Sequence, residues 1–320
     1  MPLFDRTVSH LPSNLLRDNF GWPPFSVLNT ISHDWQRQKR EWLYILPHSG
    51  EGRDVKRYNA TPTNTFSARG EDVKEAESVS IFDPFLCELM YKWFSNKGMK
   101  ILDPFAGGSV RGLVAETLGR NYVGVDLSTE QVITNRKHQK EYQEKFVDIP
   151  GTVEWVCGDS ARVLTDPSFI EKYGQFDMVF TCPPYYNLEQ YTKNPADLSR
   201  MPDYECFKCK YADIITAAAD CLLPDTFYCI LVTEIRQSPK GLENSGYHGF
   251  VPDTIKILMN HGLQYYNEII LENNIGSLPI RAPKYFNQSR KIGRHHQNIV
   301  VFYKGNISHI PDKYPALQEQ

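Results

Sequence analysis

The sequence predicts an α/β fold, a mostly parallel sheet with helices on both faces. Three observations predict it. From about Ile81 onward, short runs rich in β-branched and aromatic residues alternate with segments of helical period, the texture of repeated βαβ units. The chain has 320 residues, 41% hydrophobic and 23% charged, which is ample for one well-buried α/β core and argues against wholesale disorder. The last two strand-like runs, QYYNEIILE and NIVVFYK, have no helical segment expected between them and so are predicted to pair antiparallel.

Residues 1–80 read as an N-terminal appendage, partly helical, rich in Pro, Asn, Ser and Thr. One helix stands out within them, from about Ser32 to Leu46. It sets Trp35 and Trp42 on one face, with Arg37, Lys39 and Arg40 nearby. Two readings stay open: a helix docking its two Trp on the main domain, or a basic helix touching nucleic-acid phosphate. Residues 81–305 form the α/β domain. Asp83–Asn96 is a helix with Pro84 in its first turn. MKILDPF is a strand that stops at a turn, Arg111–Leu118 a helix, NYVGVDL a second strand. Ser128 caps a long polar helix to Phe146. Strands follow at VEWVCGD and FDMVFT, then a helix from Tyr211 to Leu222, a strand at FYCILVTEI, a helix from Val251 to His261, and the two closing strands. Residues 306–320 read as a loose tail.

Composition narrows the function class. With 35 basic and 38 acidic side chains the net charge is −3, so bulk positive charge cannot hold the whole chain to nucleic acid, although a local patch can. Seven cysteines at irregular spacing do not suggest a secreted disulfide framework, and a reducing cytoplasm fits better. The first residues lack the pattern of a secretory signal, and no run approaches the ~20 apolar residues of a membrane span.

Two motifs carry chemistry. The first is Asp103-Pro104-Phe105-Ala106-Gly107-Gly108-Ser109, a glycine turn between a strand and a helix, where ligands of open α/β sheets bind. It is no P-loop, because Leu113 and Val114 follow Gly112 instead of Lys and Ser/Thr, and G-x-G-x-x-G is also absent. Asp126 ends the next strand, where a carboxylate can accept hydrogen bonds from both ribose hydroxyls of a nucleoside cofactor. Asp159 ends the third strand. The second motif is Cys182-Pro183-Pro184-Tyr185-Tyr186. The prolines remove two amide donors and leave carbonyl acceptors, and the aromatic offers a π face. Together they suit a flipped base whose amino group donates to a carbonyl while its ring stacks on Tyr185. Stacking of about 1–3 kcal/mol offsets much of the cost of extrusion.

With these residues in place, the chain resembles S-adenosylmethionine-dependent DNA amino-methyltransferases that act on adenine N6 or cytosine N4. The D-P-F-x-G core matches their first motif and Pro183-Pro184-Tyr185 matches their [D/N/S]-P-P-[Y/F/W] signature. Gly108 and Ser109 stand in exchanged order relative to the usual D-P-F-x-G-S-G, and Cys182 stands where the family has Asp, Asn or Ser. The resemblance covers about Phe82 to Lys304. It implies a Rossmann-like methyltransferase fold, with a mostly parallel seven-stranded sheet and an antiparallel last strand, and makes residues 81–305 the catalytic domain. It implies S-adenosylmethionine as cofactor, held by Phe82, Asp103, Pro104, Phe105, Gly107, Gly108, Asp126, Leu127 and Asp159. It implies that Cys182, Pro183, Pro184 and Tyr185 handle the target base, and that no metal is required. Residues 20–45 and TCPPYYNLEQY also look like phage-type or prophage orphan methylases, so the location implied is the cytoplasm of a bacterial or phage-infected cell.

Double-stranded DNA is the expected partner. Arg281, Lys284, Arg290, Lys291 and Arg294 lie in RAPKYFNQSRKIGRHHQ, read as a loop between the last two strands, with no acid among them. Tyr186 is a further candidate contact. Cys206 and Cys209 are read as free thiols. Two alternatives remain: an RNA amino-methyltransferase, and a catalytically weakened relative that binds DNA and cofactor. The choice of adenine or cytosine, the recognition sequence, any restriction partner and the oligomeric state stay open.

Overall fold

The fold is taken from a computed structural model, which describes residues 20–47, 56–57, 81–186, 189–237 and 246–314. β1 (Val27–Asn29) leads into α1 (His33–Ile45), whose N-terminus Ser32 caps by accepting the Trp35 amide at 3.3 Å. β2 (Lys56–Arg57) comes next, then α2 (Pro84–Phe94), with Pro84 in the first turn and Asp83 accepting the Phe85 and Leu86 amides. β3 (Lys100–Asp103), α3 (Val110–Thr117), β4 (Asn121–Asp126), α4 (Thr129–Lys145) and β5 (Thr152–Cys157) alternate as expected. Ser128 caps α4, accepting the Gln131 amide at 3.2 Å. The short helices α5 (Ser160–Val163) and α6 (Pro167–Tyr173) precede β6 (Phe176–Thr181) and β7 (Glu189–Gln190). Then come α7 (Tyr204–Asp220), β8 (Leu222–Val232), α8 (Phe250–Asn260), β9 (Gln264–Glu272), α9 (Leu278–Ser289), β10 (His296–Lys304) and α10 (Ile310–Lys313).

The main sheet runs β1-β9-β10-β8-β6-β3-β4-β5. Every neighbouring pair is parallel except those made by β10, which is antiparallel to both β8 and β9. Starting from β3, the chain adds β4 and β5 on one side and β6 and β8 on the other. The topological switch point, where open α/β sheets bind ligands, therefore lies between β3 and β6. One face of the sheet packs residues from α1 to α4, among them Phe85, Leu113 and Val132. The other packs Phe207 and Tyr211 of α7 with Phe250 and Leu258 of α8.

Three expectations are corrected. Among the described residues the main sheet has eight strands rather than seven, because the N-terminal segment contributes β1, paired in parallel with β9 at Val27–Ile270. The basic stretch between the last two strands is not simply a loop: α9 spans most of it. Pro283 inside that helix and the lack of any buried face hid the helical signal. Finally, α7 begins at Tyr204, earlier than the expected Tyr211, with Asp203 accepting the Cys206 amide as its cap.

The two tryptophans of α1 dock as the first of the two readings holds. Trp35 is fully buried and donates its indole N–H to Asp83 at 3.1 Å, and Trp42 donates to Glu88 at 2.6 Å. Beyond β10 the described chain is helical rather than loose, and Tyr314 packs against Phe227 with ring centroids 5.0 Å apart.

Candidate active site

A cleft of about 560 Å³ opens over the carboxyl ends of the central strands, within the size range of small-molecule sites. Both sequence motifs line it. From the β3 side come Pro104, Phe105, Gly107 and Gly108, and from the ends of β4 and β5 come Asp126, Leu127 and Asp159. Cys182, Pro183, Pro184 and Tyr185 enter from the end of β6. Phe82 closes the wall just ahead of α2, edge-on to Phe180 at 5.9 Å.

The glycine turn is held from several directions. Gly107 has φ of 54°, a left-handed conformation that favours glycine. Its amide donates to Asp126 Oδ2 at 2.8 Å, and its carbonyl accepts Asn135 Nδ2 at 2.7 Å. Asp126 Oδ1 accepts the Ser128 amide at 2.8 Å, so two backbone N–H groups aim this carboxylate at the cleft. Asp159 accepts the Ala161 amide at 3.2 Å and pairs with Lys210 at 3.2 Å.

Asp103 behaves differently from its expected role as a cleft contact. It is fully buried beneath the turn and does not line the cleft. One oxygen accepts the Phe105 amide and the Thr181 hydroxyl (3.1 and 2.6 Å). The other accepts the Tyr122 hydroxyl at 2.7 Å and the Arg111 Nε. Arg111 also donates to the Phe105 and Ala106 carbonyls at 2.6 and 3.0 Å, and its guanidinium lies 4.5 Å over the Phe82 ring. Burial is the largest influence and lowers its pKa, but Asp103, Tyr122 and Cys182 together raise it above the usual range, so the guanidinium stays protonated. Sequence reasoning passed over Arg111. The available signal was a lone cation in the first turn of the helix that follows the motif.

The Tyr185 phenol accepts a hydrogen bond from Gln297 Nε2 at 3.3 Å. Burial first, and then the Cys182 thiol, push that phenol well above its usual range. It therefore stays protonated at neutral pH. Gln297 lies on β10 and also lines the cleft. Nothing in the sequence near it marks it, since only the sheet order brings β10 to this site.

Tyr186 does not line the cleft. It turns into an aromatic group with Tyr204, Phe207 and His248. The basic residues divide. Arg281, Lys284 and Arg290 are exposed on and just after α9. Lys291 approaches the Tyr247 ring at 5.4 Å. Arg294 is tied inward, donating to the His296 carbonyl at 3.1 Å and to Asn298. Cys206 and Cys209 are both exposed free thiols. Among the described residues, no group of three or more His, Cys, Asp or Glu could hold a metal ion, and no helix is long and apolar enough to cross a membrane.

The strand order, with its one antiparallel strand, defines a Rossmann-like fold of the methyltransferase kind. No protein-family model matches the chain, and no curated relative matches it. Solved structures that resemble it include TrmN from Thermus thermophilus, at 15% identity and a TM-score of 0.42, covering 70% of this chain and 49% of that one. Another is a methyltransferase from Pyrococcus furiosus, at 14% and 0.44, covering 73% and 89%. A precorrin-6y C5,15-methyltransferase from Geobacter metallireducens matches at 11% and 0.42, covering 73% and 95%. The chain spans about half the length of TrmN.

Proposed function

We propose that the chain is an S-adenosylmethionine-dependent methyltransferase acting on the exocyclic amino group of adenine (N6) or cytosine (N4) in double-stranded DNA. One observation carries the reading. The glycine turn after β3 and the Cys182–Tyr185 turn after β6, far apart in sequence, flank the switch point of the sheet and line a single cleft. The residues present fit the cofactor: a left-handed Gly107, a carboxylate aimed by two amides at the end of β4, and a cleft of suitable volume.

In this reading Asp126 accepts the ribose hydroxyls, and Phe105, Leu127 and Asp159 border the adenine. When bound, the cofactor supplies an electrophilic methyl group on a sulfonium. The exocyclic amine is a poor nucleophile because its lone pair is delocalised into the ring. The Pro183 carbonyl accepts one N–H, favouring a localised lone pair as attack begins, which stabilises charge where it develops. Tyr185 stacks on the extruded ring and fixes the in-line approach. The departing proton leaves to solvent. The exposed cations Arg281, Lys284 and Arg290 are suited to duplex phosphates. The reading entails a cytoplasmic location.

A second reading rests on Cys182. A thiol is a weaker acceptor than Asp, Asn or Ser. Such a site fits a relative that binds cofactor and DNA with little turnover. Nucleoside mass spectrometry of DNA and RNA from cells expressing the chain separates these possibilities. N6-methyladenine or N4-methylcytosine in DNA supports the proposal and names the base. The same mark confined to RNA moves the substrate. No mark together with S-adenosylhomocysteine binding favours the weakened relative. In an active enzyme, Tyr185→Ala removes the mark and leaves cofactor affinity nearly unchanged.

A further inference from the structure

The cleft extends past the glycine turn to a patch contributed by the N-terminal segment. Gln36 and Lys39, three residues apart on one face of α1, line it together with Thr30 and Asp83. Lys39 Nζ lies 3.1 Å from Asp83 Oδ2, with its side chain 29% exposed. The opposite carboxylate is already occupied: Asp83 caps α2 through Oδ1 and accepts the Trp35 indole through Oδ2. Lys39 has three N–H donors, and Asp83 takes one. Gln36 donates Nε2 to the Thr30 carbonyl at 2.6 Å, which leaves its Oε1 as an acceptor. The Thr30 hydroxyl in turn donates to the Glu272 carbonyl at the end of β9, fixing this corner to the sheet.

This patch adjoins the glycine turn, because Phe82 packs under Arg111, which itself staples the Phe105 and Ala106 carbonyls. Asp126, where the proposed function sets the ribose, lines the same cleft as this patch, with Gly107, Phe82 and Asp83 also in its wall. What that end of the cleft offers is a partly desolvated ammonium donor beside a neutral amide acceptor. These match the two ends of an α-amino acid zwitterion, carboxylate on Lys39 and ammonium on Gln36 Oε1. We infer that Gln36 and Lys39 of α1 form the subsite for the α-amino-acid end of the cofactor. This rests on reading the cleft as an S-adenosylmethionine site. It gives the N-terminal segment a role in cofactor binding, in place of the phosphate contact considered for Lys39 from the sequence.

The test compares two ligands by titration calorimetry on the full chain: S-adenosylhomocysteine, and 5′-methylthioadenosine, which keeps the nucleoside thioether but lacks the amino acid. In the wild-type protein S-adenosylhomocysteine binds at least about tenfold more tightly, as expected of a charge-assisted pair. Lys39→Met weakens S-adenosylhomocysteine by about tenfold and leaves 5′-methylthioadenosine within about twofold, and Gln36→Ala has a smaller effect in the same direction. Equal wild-type affinity for the two ligands overturns the inference without any variant, so a misfolded Lys39→Met would not rescue it. Equal losses on both ligands, or no loss on either, also overturn it while leaving the cofactor reading intact. A wild-type chain that binds neither ligand overturns the cofactor reading itself and this inference with it.

Discussion

Replacing Arg111 by Met tests whether the glycine turn is built on a buried ion pair. Arg111 is 5% exposed and Asp103 fully buried, and the guanidinium serves the carboxylate and two turn carbonyls at once. Met keeps most of the volume and removes every donor. Breaking a buried pair by removing one partner costs about 3–5 kcal/mol, because the remaining charge is left uncompensated. Tyr122, Thr181 and the Phe105 amide still donate to Asp103, which keeps the loss from exceeding that range. At about 2–4 °C per kcal/mol for a chain of this order of size, the melting temperature falls by about 6–20 °C. Thermal unfolding followed by circular dichroism at neutral pH reads this directly. Arg111→Lys keeps a charge but not the planar fork, so its melting temperature falls between the two. The Asp103→Asn, Arg111→Met double variant loses less than the sum of the single changes, since the two groups interact directly. An Arg111→Met protein melting within about 2 °C of wild type would refute the claim that this pair organises the turn.

Five further outcomes follow from other parts of the molecule. Burial pushes the Glu116 carboxyl up to about 7, and its Oε1 has no hydrogen-bond partner. Because the folded state holds that proton more tightly than the unfolded chain, its contribution to stability is full below the ordinary carboxylate pKa and is lost as pH rises through about 7. Glu116→Gln therefore flattens the fall in stability between about pH 5 and 8, by on the order of 2 kcal/mol; a pH–melting profile unchanged by the substitution speaks against it. A Cβ at Gly112 would meet the Trp155 ring at 2.7 Å, so Gly112→Ala overpacks α3 against β5 and costs about 1–3 kcal/mol in urea unfolding. Asp126→Ala weakens S-adenosylhomocysteine by about tenfold or more in calorimetry, a charged hydrogen bond being worth about 1.5–3 kcal/mol; undiminished affinity counts against the ribose assignment. If α9 meets duplex phosphates, replacing Arg281, Lys284 and Arg290 together by Ala lowers the slope of log affinity against log salt by about 3. Arg294→Ala shifts the melting temperature instead, since its guanidinium is bonded within the fold.

What was legible in the sequence is what local chemistry writes into a short stretch. FDMVFT ends where Pro183 and Pro184 stop a strand, and Ser128 reads as a cap because its hydroxyl has a helix to serve. The order of the two motifs and the alternation of elements then suffice to place both turns at the same edge of a parallel sheet. The pairings set by long-range packing were not legible. β1 is three residues long and gains its place only by adding to β9. Gln297 reaches Tyr185 only because β10 inserts between β8 and β9. Asp103 looked like a ligand contact because it sits in the motif, and only the structure shows all its donors coming from the protein. Tyr186, adjacent to Tyr185, sits in a turn beyond the end of β6 and packs into the aromatic group with Phe207 instead.

The exchanged order of Gly108 and Ser109 acquires a physical meaning in this fold. Ser109 is buried, and its hydroxyl meets His138 Nδ1 at 3.1 Å in the packing between α3 and α4. Gly108, with no side chain to offer, is the residue that lines the cleft. The turn therefore presents backbone, not a side chain, to the cleft at Gly108. Its shape is enforced from behind by Arg111 on the Phe105 and Ala106 carbonyls and by Asn135 on the Gly107 carbonyl. Polar recognition then has to come from side chains around the turn. Asp126 is bonded to the turn at Gly107, and the α1 pair of Gln36 and Lys39 lines the same cleft. The same N-terminal segment that completes the sheet with β1 thus also completes the cleft. Removing it should cost cofactor affinity as well as stability.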